Sequence, residues 1–154
     1  MKKILIVEDE AIIARSIQMS LEEDGYNVLK TGSDGEAAIQ SVEKNKPDLI
    51  LMDIRLRGSM DGYEAIKKIR LHSNVPVIYS TAGEQYQVDE KAKDTKPYDY
   101  ISKPFPLREM RVRIRQVLEK TSLRRENARL QGQLDRANAR IRELVERFVP
   151  AEVM

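Results

Sequence analysis

Five short apolar runs, each followed by an amphipathic stretch or a charged turn, constrain this chain more than any other feature. The runs occupy positions 4–7, 26–29, 49–52, 75–79 and 100–101, and several are rich in Val and Ile. Unbroken apolar character, in place of strict alternation, is what a strand buried on both faces shows. Between the runs the pattern turns helical. Ile13, Ile17 and Leu21 fall on one face and stop at Gly25, a residue suited to a left-handed helix cap. Ala38, Ile39 and Val42 form a second stripe, with Ser33 or Asp34 as N-cap candidates. Ile66 and Ile69 form a third, opened by Asp61. A fourth helix is expected around 85–93, where apolar periodicity is weakest, and a fifth from Pro106. Strand and helix in five repeats imply an α/β fold: a parallel sheet with right-handed crossovers and helices on both faces. In such sheets the functional site lies at the C-terminal strand ends, where strand order reverses.

The fifth helix carries Leu107, Met110, Ile114, Val117 and Leu118 on one side and then continues. No Pro and only one Gly, Gly132, occur between Leu107 and Val149. A helix of roughly 40 residues is therefore allowed, about 60 Å long. From Lys120 a seven-residue period takes over. Asn127, Leu134, Ile141 and Phe148 hold one seam position, and Leu123, Leu130, Ala137 and Leu144 hold the other. This pattern predicts a coiled coil, with a stutter near Thr121 where the two stripes change phase. An Asn at a seam position, here Asn127, favours a two-stranded pair in fixed register. In a parallel homodimer Glu119 would face Arg124 of the second copy, while flanking positions such as Gln133 and Asn138 are uncharged.

Charge divides the chain in the same place. The net charge is +2, but residues 107–148 carry 12 Lys and Arg against 6 Asp and Glu, which leaves the remainder at −4. An acidic globule with a basic helical tail is expected: a domain over 1–120, a coiled-coil helix over 121–149, and a tail or truncated linker over 150–154. The Arg residues spread around the helix and no helix-turn-helix follows, so a solvated coiled-coil surface is preferred over nucleic-acid binding. The absence of Cys excludes a disulfide framework, thiol catalysis and Cys-ligated zinc, and a single His argues against a His metal site. The apolar start ends at Val7 before Glu8, and no segment approaches the roughly 20 apolar residues that span a bilayer. A soluble, cytoplasmic protein without a membrane partner is expected.

Glu8, Asp9 and Glu10 follow the first run, Asp53 the third, Thr81 the fourth and Lys103 the fifth. Carboxylates gathered at one sheet end repel one another unless a cation lies between them. An all-oxygen donor set selects a hard ion such as Mg²⁺, which also engages phosphate. With such a cation and a Lys against the phosphoryl oxygens, a carboxylate can serve as nucleophile and form an aspartyl phosphate.

Glu8-Asp9, Met52-Asp53, Ser80-Thr81-Ala82 and Lys103-Pro104-Phe105, in this order and spacing, resemble the signature of two-component receiver domains over residues 1 to about 120. The resemblance implies a CheY-like sheet of order 2-1-3-4-5, five helices, and Asp53 as phosphoacceptor. It implies that Glu8, Asp9, Asp53 and the main-chain carbonyl of Arg55 position Mg²⁺. Thr81 would hydrogen-bond the phosphoryl group, Lys103 would pair with its charge, and Tyr100 would change rotamer with Thr81. Lys103-Pro104 would be a cis peptide, and a histidine kinase the phosphoryl donor. Two departures stand out: the loop from Leu56 to Gly62 is one residue longer than the commonest form, and 96–100 lacks the usual glycine. The end, Arg147-Phe148-Val149-Pro150, resembles the junction before nucleotide-cyclase output domains, so a receiver-plus-linker piece of a longer regulator is an alternative. A phosphatase or phosphotransferase with an Asp nucleophile is the rival of another class. It is disfavoured because Arg55 stands where haloacid-dehalogenase-like enzymes keep a second Asp.

Overall fold

A computed structural model of the protein describes residues 1–82 and 94–148. The chain divides into two compact units, Met1–Leu118 and Glu119–Met154. The first is built on β1 (Lys3–Val7), β2 (Asn27–Lys30), β3 (Leu49–Asp53), β4 (Val77–Ala82) and β5 (Asp99–Lys103). All pairings are parallel, and the order is β2-β1-β3-β4-β5. Helices α1 (Ala11–Glu23), α2 (Gly35–Asn45) and α3 (Gly62–Ile69) link the strands, and α4 (Leu107–Phe148) follows β5. The helix expected at 85–93 lies outside the described residues.

Strand side chains alternate between the two faces, and this splits the core. Leu5, Val7, Ile50, Met52, Val77 and Tyr79 meet Ala38 and Val42 of α2 and Ala65, Ile66 and Ile69 of α3. Ile4, Ile6, Leu49, Leu51, Ile78 and Ile101 meet Ile17 and Leu21 of α1 and Met110, Ile114, Val117 and Leu118 of α4. Runs apolar at every position thus feed two cores at once, which is why the central strands needed Val, Ile and Leu throughout.

Local chemistry sets the helix ends. Asp34 opens α2, its carboxylate accepting from Glu36 N at 3.0 Å and Ala37 N at 3.4 Å. Asp61 opens α3 through Glu64 N at 2.8 Å. α1 closes with Gly25 at φ +88, where Gly25 N donates to Glu22 O at 3.0 Å and Tyr26 N to Leu21 O at 3.1 Å. This paired return is the Schellman ending, which needs the left-handed conformation glycine adopts without cost. β4 begins at Val77, two residues later than the apolar run, because Pro76 has no N–H for the ladder. Strands β3, β4 and β5 run further than their apolar cores: Asp53 pairs with Ser80, Thr81 with Ser102 and Ala82 with Lys103. Backbone pairing carries those polar residues to the sheet edge regardless of hydropathy.

In the second unit, α4 stays helical to Phe148. There Leu123, Leu130, Leu134, Ile141, Leu144 and Phe148 are all exposed in the single chain, as are Asn127 and Ala137.

Candidate functional site

Because the strands are parallel, their C-terminal ends share one edge, and the acidic, hydroxyl and ammonium groups gather there. Glu8 and Asp9 follow β1, Asp53 ends β3, Thr81 is the penultimate residue of β4, and Lys103 ends β5. A cleft of about 260 Å³ is lined by Glu8, Asp9, Asp53, Arg55, Thr81 and Lys103, together with Glu10, Ile54, Tyr63 and Ala82. Tyr100 does not line it. It pairs with Tyr79 in the sheet register and its ring lies 5.7 Å from the Tyr79 ring.

Lys103 Nζ bridges two carboxylates, 2.6 Å from Glu8 Oε1 and 2.9 Å from Asp53 Oδ2. The other Asp53 oxygen accepts from Arg55 N at 3.0 Å. Burial is the largest influence on Asp53 and raises its pKa; the Lys103 and Arg55 hydrogen bonds oppose this but do not cancel it. For Lys103, burial acts to lower the pKa, yet hydrogen bonds to Glu8 and Asp53 outweigh it and the net shift is upward. Lys103 therefore stays an ammonium between the acids. Asp9 Oδ1 is paired separately, with Arg57 Nε at 2.8 Å.

The α3 N-terminus presses on the phosphoacceptor candidate. Gly62 N donates to Ile54 O at 2.8 Å, and a Cβ at Gly62 would collide with the carbonyl oxygen of Asp53. The Lys103–Pro104 peptide is cis.

Among the described residues no three acidic side chains are already gathered as an ion cage. Lys103 and Arg57 hold their oxygens instead. The donor chemistry still fits a hard divalent ion: Glu8, Asp9 and Asp53 offer only oxygens to one open cleft, with no sulfur or imidazole beside them.

Two residues at the site, Tyr63 in the cleft lining and Arg57 outside it, had escaped the sequence reading. Tyr63 follows Gly62, and its ring meets that of Tyr79 edge-on at 4.9 Å. Arg57, two residues past Arg55, supplies the second cation. A basic residue in a loop leaving an acidic strand end is a signal that could have marked it.

The family profile described as the response regulator receiver domain matches residues 4–115. The chain belongs to the response regulator receiver family. Among curated relatives, this receiver is 32% identical over 148 residues to the transcriptional regulatory protein PdtaR of Mycobacterium tuberculosis, covering 95% of this chain and 70% of the relative. It is 37% identical over 123 residues to the alkaline phosphatase synthesis transcriptional regulatory protein PhoP of Bacillus subtilis. That match covers 79% of this chain but only 50% of PhoP, so the receiver spans about half of that relative's length. Among solved structures, the signal receiver domain of a modulated diguanylate cyclase from Desulfovibrio desulfuricans G20 is 31% identical with TM-score 0.72, covering 80% of this chain and 98% of that one. A fusion carrying the trimeric coiled coil of yeast Spc42, amino acids 181–211, is 35% identical with TM-score 0.77 and covers 93% of this chain and 92% of its own. No described helix of the receiver is long and apolar enough to cross a membrane.

Proposed function

We propose that this receiver is a phosphorylation-dependent switch that accepts a phosphoryl group on Asp53 from a histidine kinase and passes the change to a paired C-terminal helix. The observation that carries the reading is a buried Asp53 at the end of β3, open to a cleft and held 2.9 Å from an ammonium. The kinase presents phosphohistidine. An Asp53 oxygen attacks phosphorus in line, the P–N bond breaks, and its electron pair returns to the imidazole, which takes up a proton from water. Lys103 pairs with the charge added at Asp53, and the Thr81 hydroxyl donates to a phosphoryl oxygen. Movement of Thr81 toward the phosphoryl group opens the space into which the Tyr100 ring turns. Glu8, Asp9, Asp53 and the main-chain carbonyl of Arg55 would hold Mg²⁺, which when bound would offset phosphoryl charge. The reaction is stoichiometric, not a turnover. Arg55 offers no acid for leaving-group protonation, which sets the site apart from an Asp-nucleophile phosphatase.

The exposed apolar seam on α4 supports pairing as a parallel homodimer, since a stripe of six large side chains is costly to leave in water. The likeness to a fusion with a trimeric coil makes three strands the competing outcome. The likeness to receiver domains of a diguanylate cyclase and of a response regulator/sensory box/GGDEF protein supports an output of nucleotide-cyclase type on a longer chain.

Intact mass after incubation with Mg²⁺ and acetyl phosphate tests the chemistry, beside Asp53→Asn. One added phosphoryl group, absent from the variant and without Mg²⁺, is expected. An adduct that persists in Asp53→Asn would move the phosphoacceptor elsewhere.

A further inference from the structure

Every acid expected to hold the divalent ion already has a cation of this chain against it, and the two arrangements are not alike. Lys103 sits inside the cleft, with only 18% of its side chain exposed, between Glu8 and Asp53. Arg57 reaches Asp9 from outside, with 80% of its side chain exposed. The Arg57 backbone is anchored: it forms a parallel bridge with Asp34, and its N–H donates to Ser33 O at 3.3 Å. Gly58 follows at φ +92 and turns the chain away. The side chain is therefore the movable part of a fixed mount, set between the loop after β3 and the acid after β1.

We propose that Arg57 is a positioning residue that competes with the divalent ion for Asp9 and so sets the ion affinity of the phosphoacceptor site. This rests on the receiver reading above. One Asp9 oxygen cannot be fully shared between a guanidinium hydrogen bond at 2.8 Å and direct coordination to a small dication, because the two positive charges repel at that separation. Coordination through that same oxygen requires the Arg57 side chain to swing into solvent, and its exposure makes that movement free of packing cost. The same exposure limits the strength of the competition, since an exposed ion pair is weak and screened by salt.

The test titrates the full chain with MgCl₂ and follows the Arg55 amide by NMR, because that N–H lies on Asp53. Arg57→Ala is expected to bind Mg²⁺ about two- to fivefold more tightly than the wild type. Arg57→Lys, which keeps the charge, is expected to fall between them, and the gap should close as NaCl is raised toward 1 M, where the Debye length is about 3 Å. In an Asp9→Asn background the Arg57→Ala change should have no effect on Mg²⁺ affinity. Equal or weaker binding by Arg57→Ala overturns the competition, as does an unchanged effect in Asp9→Asn. If neither the wild type nor any variant responds to Mg²⁺, the receiver chemistry itself fails and this role falls with it; a response with equal affinities removes the Arg57 role alone.

Discussion

Gly62 is the position where the fold bears most directly on Asp53. A methyl group there would press on the Asp53 carbonyl oxygen and lie 2.9 Å from Ile54 Cα, both of them backbone atoms of β3 and its exit. Ordinary contact begins near 3.4 Å, and no flexible side chain is available to yield. In Gly62→Ala the α3 N-terminus must retreat by on the order of 1 Å to restore favourable contact. That retreat stretches the 2.8 Å bond from Gly62 N to Ile54 O. Overpacking costs about 1–3 kcal/mol and the weakened hydrogen bond about 1 kcal/mol more, so a loss of about 2–4 kcal/mol is expected. The helix-propensity gain of Ala over Gly at a first-turn position, below about 1 kcal/mol, does not offset this. Urea unfolding followed by circular dichroism at one protein concentration should show a lower midpoint with an unchanged slope. The rate of acetyl phosphate labelling should fall as well, because the displaced backbone is that of Asp53. A midpoint shift corresponding to less than about 0.5 kcal/mol would refute the steric argument, since surface-like tolerance is of that size.

Two further tests address parts of the protein away from the cleft. Tyr79 is fully buried and its hydroxyl donates to Thr95 Oγ1 at 2.7 Å; burial raises its pKa well above 10, with the Thr95 hydrogen bond acting in the opposite direction. The folded state thus keeps the phenol proton more tightly than the unfolded one, so this stability is intact below the unfolded value of about 10 and is lost as pH rises through it. Tyr79→Phe should be about 1 kcal/mol less stable at pH 7 and should close that gap between about pH 10 and 11; parallel stability curves would refute the assignment. In the tail, Asn127→Leu should strengthen pairing by on the order of 2 kcal/mol per helix while broadening the oligomer distribution seen by sedimentation. An unchanged distribution and melting curve would place Asn127 outside the seam.

Much of the architecture follows from hydropathy read one residue at a time. A strand with a core on each face must be apolar at every position, so Leu49, Ile50, Leu51 and Met52 announce a central strand in their order alone. Asp61 declares a helix start, and Ser33 with Asp34 another, because a cap needs only a short acceptor and the next turn; the structure chose Asp34 of the two. The acids, Thr81 and Lys103 were legible for a related reason: each stands one or two residues past a buried run, and parallel strands place all such residues at one edge. Sequence also carried the heptad of the tail, whose period is a property of one helix.

What the order of residues did not contain was the pairing of charges across that edge. The Lys103 bridge from Glu8 to Asp53, and the reach of Arg57 to Asp9, join residues 48 to 95 positions apart. The same holds for Arg70, which caps the carbonyls of Thr95 at 2.8 Å and Val75 at 2.6 Å although its sequence context is that of an ordinary surface helix end. Such contacts depend on loop paths set by Gly58 and Gly62 and on distances between strand ends. Local propensity fixes neither. The sequence by itself determined which groups come to the sheet edge, because burial and strand direction are one-dimensional signals. Only the tertiary structure decided which cation faces which acid, because that choice is made by packing between segments distant in the chain.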